Sequence, residues 1–417
     1  MLLIPFIYFL LLTIYFYKIH GHLNLDVAAS SILMAISFFA ILIDVNDVYG
    51  KYGINENENN LFTILLFCLQ WTLVLWPLKI LSSLPLKGVD QLKKPVFYGL
   101  CIVVIVASVL MIVSSLSDIR DALVMDMVDN YNTNALLRGM GGRESSNPLL
   151  LIPTIFTSNP FPTLALFLWF YSVAFNEGNV LIRMGLLLAS IVQAALSIIV
   201  AGRAALVYWM IEFVLFYCFF SHYFSARVRR VIMLASAALG SLIVSVFITI
   251  TISRFGDNSD DKTSDPLVSL YSYAGQHITN FSAMVMKGAE APFQIGRVFP
   301  LTNRIVNGTQ FDLIEHYDRI HSAVTIQANV FSTFGGELFL DLGVFGYVIF
   351  LLLLSLLTIM IRNEWTELPF YRIFILVIVV AFFSHGLFAW PFISQYCTYS
   401  LILFALFYLL FKYEYKV

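Results

Sequence analysis

Apolar runs of membrane-crossing length recur along almost the whole chain, separated by short polar breaks. A helix crosses the hydrocarbon core with roughly 20 apolar residues, and apart from a closed barrel only a helix satisfies its own backbone there. Measured against that length, the sequence predicts eleven spans, within a range of 10–12. They are Leu2–Tyr17, Leu25–Ile43, Leu61–Leu81, Val96–Val113, Pro160–Phe175, Val180–Ala201, Ala204–Phe220, Val231–Ile252, Leu342–Ile361, Ile373–Phe392 and Tyr399–Phe411. The fold class expected is all-α, a polytopic membrane protein forming a single integral membrane domain over residues 1–417. Residues 1–17 show neither a basic stretch nor a small-residue cleavage pattern, so they read as a retained span and not as a signal peptide.

Leu149–Phe175 is too long for one helix and holds Pro153, Pro160 and Pro162. Ser158 or Asn159 as N-cap with Pro160 at the first helical position gives a start, and Leu149–Phe156 then lies along the interface or re-enters. Lys79, Lys87, Lys93, Lys94, Arg227, Arg229, Arg230, Arg362, Arg372, Lys412 and Lys416 all fall on one side of this arrangement. Basic loops stay cytoplasmic, which puts the N-terminus outside and the C-terminus inside. Two long segments then face outward, an acidic one at 114–148 and a larger one at 253–341. In the larger segment Asp265 and Pro266 make a helix start. Leu267, Leu270, Tyr271, Ala274, Ile278, Phe281 and Val285 follow at helical spacing, which predicts an amphipathic helix on the mouth of the bundle.

Composition agrees with the pattern: 59% of residues are hydrophobic, 12% are charged, and the mean hydropathy is +0.84, too little polar surface for a soluble globule of 417 residues. A net charge of −2 offers no basic face, so nucleic acid is not a partner. Cys68, Cys101, Cys218 and Cys397 sit inside apolar runs without CxxC spacing and read as core residues. The chain has no GxxxxGK[ST] loop, no HExxH and no DxD. No ATP-driven or metal-dependent mechanism is indicated, although Asp44 and Asp47 could bind a cation.

Several residues could carry chemistry. Arg203 occupies a tight turn on the outer side, where it either meets an anion or snorkels to the headgroups. Arg254, Arg297, Arg304, Arg319, His316 and His321 lie in or beside the large segment. Arginine matches phosphate oxygens with a planar pair of donors, which suits a diphosphate. Pairing with the carboxylates Asp257, Asp260, Asp312 and Glu315 is the ordinary reading of such loop arginines. His277, Asn280, Tyr271 and Tyr273 share the expected amphipathic helix. There a histidine can act as a base and tyrosines either stack on sugars or form an interfacial belt. Within the spans, Glu212 and His385 are costly to bury and mark either function or an interhelix hydrogen bond.

Two stretches resemble the Wzy-type oligosaccharide repeat-unit polymerases of O-antigen and capsule synthesis. One is Ile198–Leu206, IIVAGRAAL, and the other is Asn329–Gly346, NVFSTFGGELFLDLGVFG. The spacing of His321-Ser322 ahead of Gly343-Val344-Phe345-Gly346 is longer than the related O-antigen ligases carry. The resemblance implies a metal-independent, multi-span glycosyltransferase of the C type, without cofactor, in the bacterial inner membrane. Its substrate would be an undecaprenyl-diphosphate-linked oligosaccharide, with membrane lipid around it and a chain-length regulator as a candidate partner. Carried onto this sequence, it makes Arg203 and Arg254 the holders of the leaving diphosphate, with Arg319 third. His277 and His321 become the candidate bases, with Glu337 behind them, and Tyr271, Tyr273, Asn280 and Asn329 position sugars. A ligase, or a flippase or other transporter, are the alternatives. A transporter usually shows paired, symmetric halves, which the 253–341 segment interrupts.

Overall fold

The computed structural model describes residues 1–50, 54–86, 94–124, 148–197, 199, 204–255, 266–288, 298–301, 305, 308, 313–327, 331–392 and 394–416. The protein is almost entirely helical, 83%, with no strand among the described residues. In chain order the helices are α1 (Leu3–His20), α2 (Leu25–Val45), α3 (Leu61–Ser83), α4 (Lys94–Ser114), α5 (Leu116–Val124), α6 (Leu151–Thr157), α7 (Phe161–Ala174) and α8 (Val180–Ser197). They continue with α9 (Ala204–Phe220), α10 (Ala226–Phe255), α11 (Pro266–Gly288), α12 (Leu313–Val324), α13 (Thr333–Glu364), α14 (Phe370–Gly386) and α15 (Gln395–Lys416).

Each of the eleven predicted apolar runs carries a helix. Among the described residues, seven helices are long and apolar enough to cross a membrane, or eight if α6 and α7 together make one bent span. The helices at α7, α9 and α14, of 14, 17 and 17 residues, lie at or below the short end of a straight crossing. Apolar side chains such as Leu3, Ile7, Leu11 and Ile14 of α1 and Leu352, Leu353 and Leu356 of α13 are exposed, as suits a membrane-embedded protein with lipid as its solvent.

The chain divides into two compact units. The first comprises Met1–Ser83, Phe255–Trp365 and Phe382–Gln395. Here α1 stops at Gly21, whose φ of 69° takes the left-handed cap and whose N–H returns to Tyr17 O. Asn24 then caps α2, and His20 reaches Asp26 Oδ2 at 2.8 Å, closing the α1–α2 corner. Helix α11 packs along α2 so tightly that a Cβ on Gly275 would lie 2.5 Å from the backbone of Phe39. Helix α13 begins at Thr333, nine residues ahead of the predicted span, and is interrupted at Gly343 (φ 63°, ψ −169°). Apolar contacts of Ile320, Val324 and Ile326 with Ala283, Met284 and Leu340 seat α12, which the apolar periodicity did not predict.

The second unit comprises Leu84–Arg254, Thr366–Ala381 and Tyr396–Val417. Its core is the buried face of α7, where Phe167 and Phe170 meet Phe216 and Phe220 of α9. The proline-rich stretch does break, and α6 and α7 meet at 60°. Pro160 stands at the N-cap and Pro162 inside the first turn, one or two residues later than the sequence suggests. Side chains hold the break: Gln193 Nε2 donates to Thr157 O at 3.1 Å and Ser400 Oγ to Ile155 O at 2.6 Å. Glu212 is buried and accepts from Thr163 Oγ1 at 2.9 Å, in the first turn of α7.

Candidate functional site

Two helices of the first unit bury polar stripes. Along α11, Ser272, Gln276, His277, Thr279, Asn280 and Ser282 are buried, and along the first segment of α13 so are Thr333, Glu337 and Asp341. The spacing 333, 337, 341 puts the latter three on one helical face. The amphipathic periodicity of α11 is present, with Ile278, Phe281 and Val285 buried, but the helix does not lie on a surface as expected. Helices α2, α3 and α13 pack against it, so its polar face is enclosed as well.

Burying polar groups is costly unless they are bonded, and much of this layer is. Asn280 uses its whole carboxamide. Oδ1 accepts from the N–H and Nδ2 of Asn55 at 2.9 and 3.0 Å, while Nδ2 donates to Gln276 Oε1 at 3.1 Å and Phe331 O at 3.0 Å. Asn55 in turn receives Gln327 N at 2.8 Å. Gln70 of α3 accepts from Tyr347 OH at 3.0 Å and donates to Thr333 Oγ1 at 3.4 Å. Glu337 Oε2 accepts from Trp390 N at 2.9 Å. Asp341 Oδ2 accepts from Val298 N at 2.6 Å, and its Oδ1 lies 3.3 Å from His316 Nε2, within ion-pair range.

The remainder of the layer has buried polar atoms that no described residue satisfies. They include both ring nitrogens of His277 and the hydroxyls of Ser272, Ser282 and Ser332, together with Trp71 Nε1 and Trp390 Nε1. His277 is the extreme case, 1% exposed. Burial alone pushes its pKa down to about 3, so the imidazole is neutral, with one donor and one acceptor to offer. Around it stand rings: Phe388 at 4.8 Å and Phe331 at 5.9 Å between centroids, with Tyr273 5.0 Å from Phe331. Tyr273 and Phe331 keep part of their surface exposed, whereas Phe388 is buried.

Of the residues singled out by sequence, the structure brings Tyr273, His277 and Asn280 together on α11, and Glu337 stands on α13 in the same unit. Tyr271 is half-buried against Ile43, Val48 and Ile54. Two others stand on the exposed side of α12: Arg319 pairs with Glu315 at 2.6 Å, the loop-carboxylate pairing weighed above, and His321 Nδ1 lies 3.1 Å from Ile326 O. Arg254 falls in the last turn of α10, where the backbone alone is described. Arg203 and Asn329 lie outside the described residues. Asp44 accepts from Tyr49 OH at 2.6 Å and from Asn57 Nδ2 at 3.0 Å. No cluster of three His, Cys, Asp or Glu side chains able to hold a metal occurs among the described residues.

Phe331, Phe388, Ser332 and Asn55 escaped the sequence reading. Phe331 and Ser332 lie inside the NVFSTFGGELF stretch, so the signal for them was adjacency to Asn329. Phe388 and Asn55 come from distant segments that only the fold brings to α11. Among known proteins, no family model, curated protein or solved structure matches this chain.

Proposed function

We propose that this protein polymerises lipid-linked oligosaccharide repeat units, a metal-independent glycosyltransferase of Wzy type in a bacterial inner membrane. Eleven crossings place its N-terminus in the periplasm and its C-terminus in the cytoplasm, and the 253–341 segment faces the periplasm. The observation that carries the reading is His277, a fully buried imidazole with neither nitrogen bonded to a described residue, on the helix that the sequence nominates for substrate contact.

In this reaction the acceptor sugar hydroxyl attacks the anomeric carbon of the donor glycan. A new C–O bond forms there, the bond to the diphosphate oxygen breaks, and undecaprenyl diphosphate leaves. Arg203 and Arg254 hold the departing diphosphate, where fixed cations in a water-poor setting stabilise charge that grows in the transition state. His277 takes the hydroxyl proton. Neutral at rest, its imidazole has a lone pair with which to accept it.

The test is the polysaccharide made by a strain that lacks the native gene and carries variants. Arg203→Ala and His277→Ala are expected to leave single repeat units on the lipid core and no ladder on a gel, with normal protein in the membrane. A normal ladder from both variants would overturn the assignment.

A further inference from the structure

We propose that the ring cluster of Tyr273, His277, Phe331 and Phe388 seats the acceptor sugar and selects a neutral pyranose, one without a carboxylate or other acid group. The inference rests on the polymerase reading and adds the chemical class of the sugar that attacks.

The cluster joins two kinds of surface. Phe331 and Phe388 lie 5.1 Å apart at 89°, and Tyr273 meets Phe331 at 79°, so the rings brace one another edge to face. Such rings offer rigid apolar area at little entropic cost. Set into that apolar area are hydrogen-bonding atoms that no described residue satisfies, His277 Nδ1 and Nε2 and the hydroxyl of Ser332. Ser332 directly follows Phe331, and its N–H donates to Phe388 O at 3.2 Å, which fixes the hydroxyl beside the rings. An apolar wall with a few fixed polar groups is the general form of a small-ligand seat. A pyranose has the matching halves, a C–H face for a ring and hydroxyls that both donate to and accept from an imidazole.

Charge decides the class of sugar. None of the four ring residues or Ser332 is cationic, and His277 is fully buried. Among the described residues, the charged groups bonded into this layer are carboxylates or are paired: Glu337 holds Trp390 N, two residues beyond Phe388, and Asp341 holds Val298 N. Lys287 of α11 pairs with Glu58 at 3.1 Å. A uronic acid would shed its hydration here with no cation among the cluster's described side chains to replace it, whereas a hexose, a deoxyhexose or an N-acetylated hexosamine loses nothing of that kind.

Saturation-transfer NMR on the full-length protein in detergent tests this with methyl α-glucoside, methyl α-rhamnoside, methyl N-acetyl-β-glucosaminide and methyl β-glucuronide. At least one neutral glycoside is expected to receive saturation and the glucuronide to receive about fivefold less, with Phe331→Ala losing about fivefold and Phe331→Tyr keeping the signal. The tyrosine variant separates a lost platform from a misfolded chain. Glucuronide signal equal to or above the neutral sugars, no signal from any neutral sugar, or a signal unchanged in Phe331→Ala overturns the proposal. The two readings fail separately. A ladder that persists in both Arg203→Ala and His277→Ala removes the polymerase and leaves a sugar seat, while a ladder lost in those variants with sugar signal indifferent to Phe331 removes the seat alone.

Discussion

Trp390 donates its backbone N–H to Oε2 of Glu337 across 2.9 Å, which ties the turn after α14 to the first segment of α13. Glu337 is fully buried, and a buried backbone N–H must find an acceptor. The acceptor oxygen, and not the charge, is what this bond requires. Glu337→Gln keeps such an oxygen and is expected to cost less than Glu337→Ala, which strands the N–H at about 1–3 kcal/mol. Thermal unfolding of the purified variants checks the order. A glutamine variant as damaged as the alanine one would show that the carboxylate charge itself is needed.

Asn280 is predicted to be a structural hub despite its sequence nomination for sugar binding. Its carboxamide already makes two bonds to Asn55 and one each to Gln276 and Phe331, which leaves little for a ligand. Asn280→Ala leaves several buried groups without partners and is expected to cost at least about 2 kcal/mol. Asn280→Asp is expected to be no better, since it turns two donors into lone pairs facing Gln276 Oε1 and Phe331 O. Unfolding midpoints that match the parent protein in both variants would show that the knot carries no stability.

The helices were legible in the sequence because a bilayer imposes one length rule on every apolar run, and α2, α9 and α11 start within a residue of where that rule and the capping residues put them. The length rule is silent where a helix is short or polar. It missed α12, whose Glu315, Asp318 and Arg319 are exposed, and it started α13 at Leu342 because Glu337 and Asp341 look like loop residues until their backbone and histidine partners are known. The candidate site was legible by residue type on α11, where Tyr273, His277 and Asn280 stand. What periodicity could not give was which of them are already bonded. Asn280 is spoken for by Asn55, 225 positions away, and His277 is not, a distinction made entirely by tertiary contacts.

Buried, and bonded to no described residue, His277 also makes the protein acid-sensitive in a defined direction. Its folded pKa is lowered from 6.5 to about 3, so below 6.5 the unfolded chain takes up a proton that the folded one refuses. Stability from this group is therefore complete above pH 6.5 and drains away as pH falls toward 3. Between pH 7.5 and 5.0 the parent protein should lose about 2 kcal/mol more than His277→Phe, which cannot titrate. Unfolding midpoints of the two proteins at both pH values give the difference directly, and equal losses would mean that His277 already carries a proton or reaches solvent.

The contact of α11 with α2 makes the sharpest structural prediction, because the whole candidate layer depends on how closely these helices approach. A Cβ at Gly275 would fall 2.5 Å from Phe39 C and 2.6 Å from Ala40 N. These are backbone atoms in mid-helix, which cannot rotate away as a side-chain tip can. Gly275→Ala should therefore force α11 off α2, pulling His277 and Asn280 from their places, and cost well over the ~1 kcal/mol that alanine normally gains over glycine in a helix. Gly99 in α4 is the control, with nothing within 4 Å of its would-be Cβ, so Gly99→Ala is expected to be neutral or slightly stabilising. Yield and unfolding midpoint of the two variants, prepared side by side, decide it. Equal behaviour would mean that α11 does not sit against Phe39 at this distance, and the enclosure of the polar face of α11 would have to be abandoned with it.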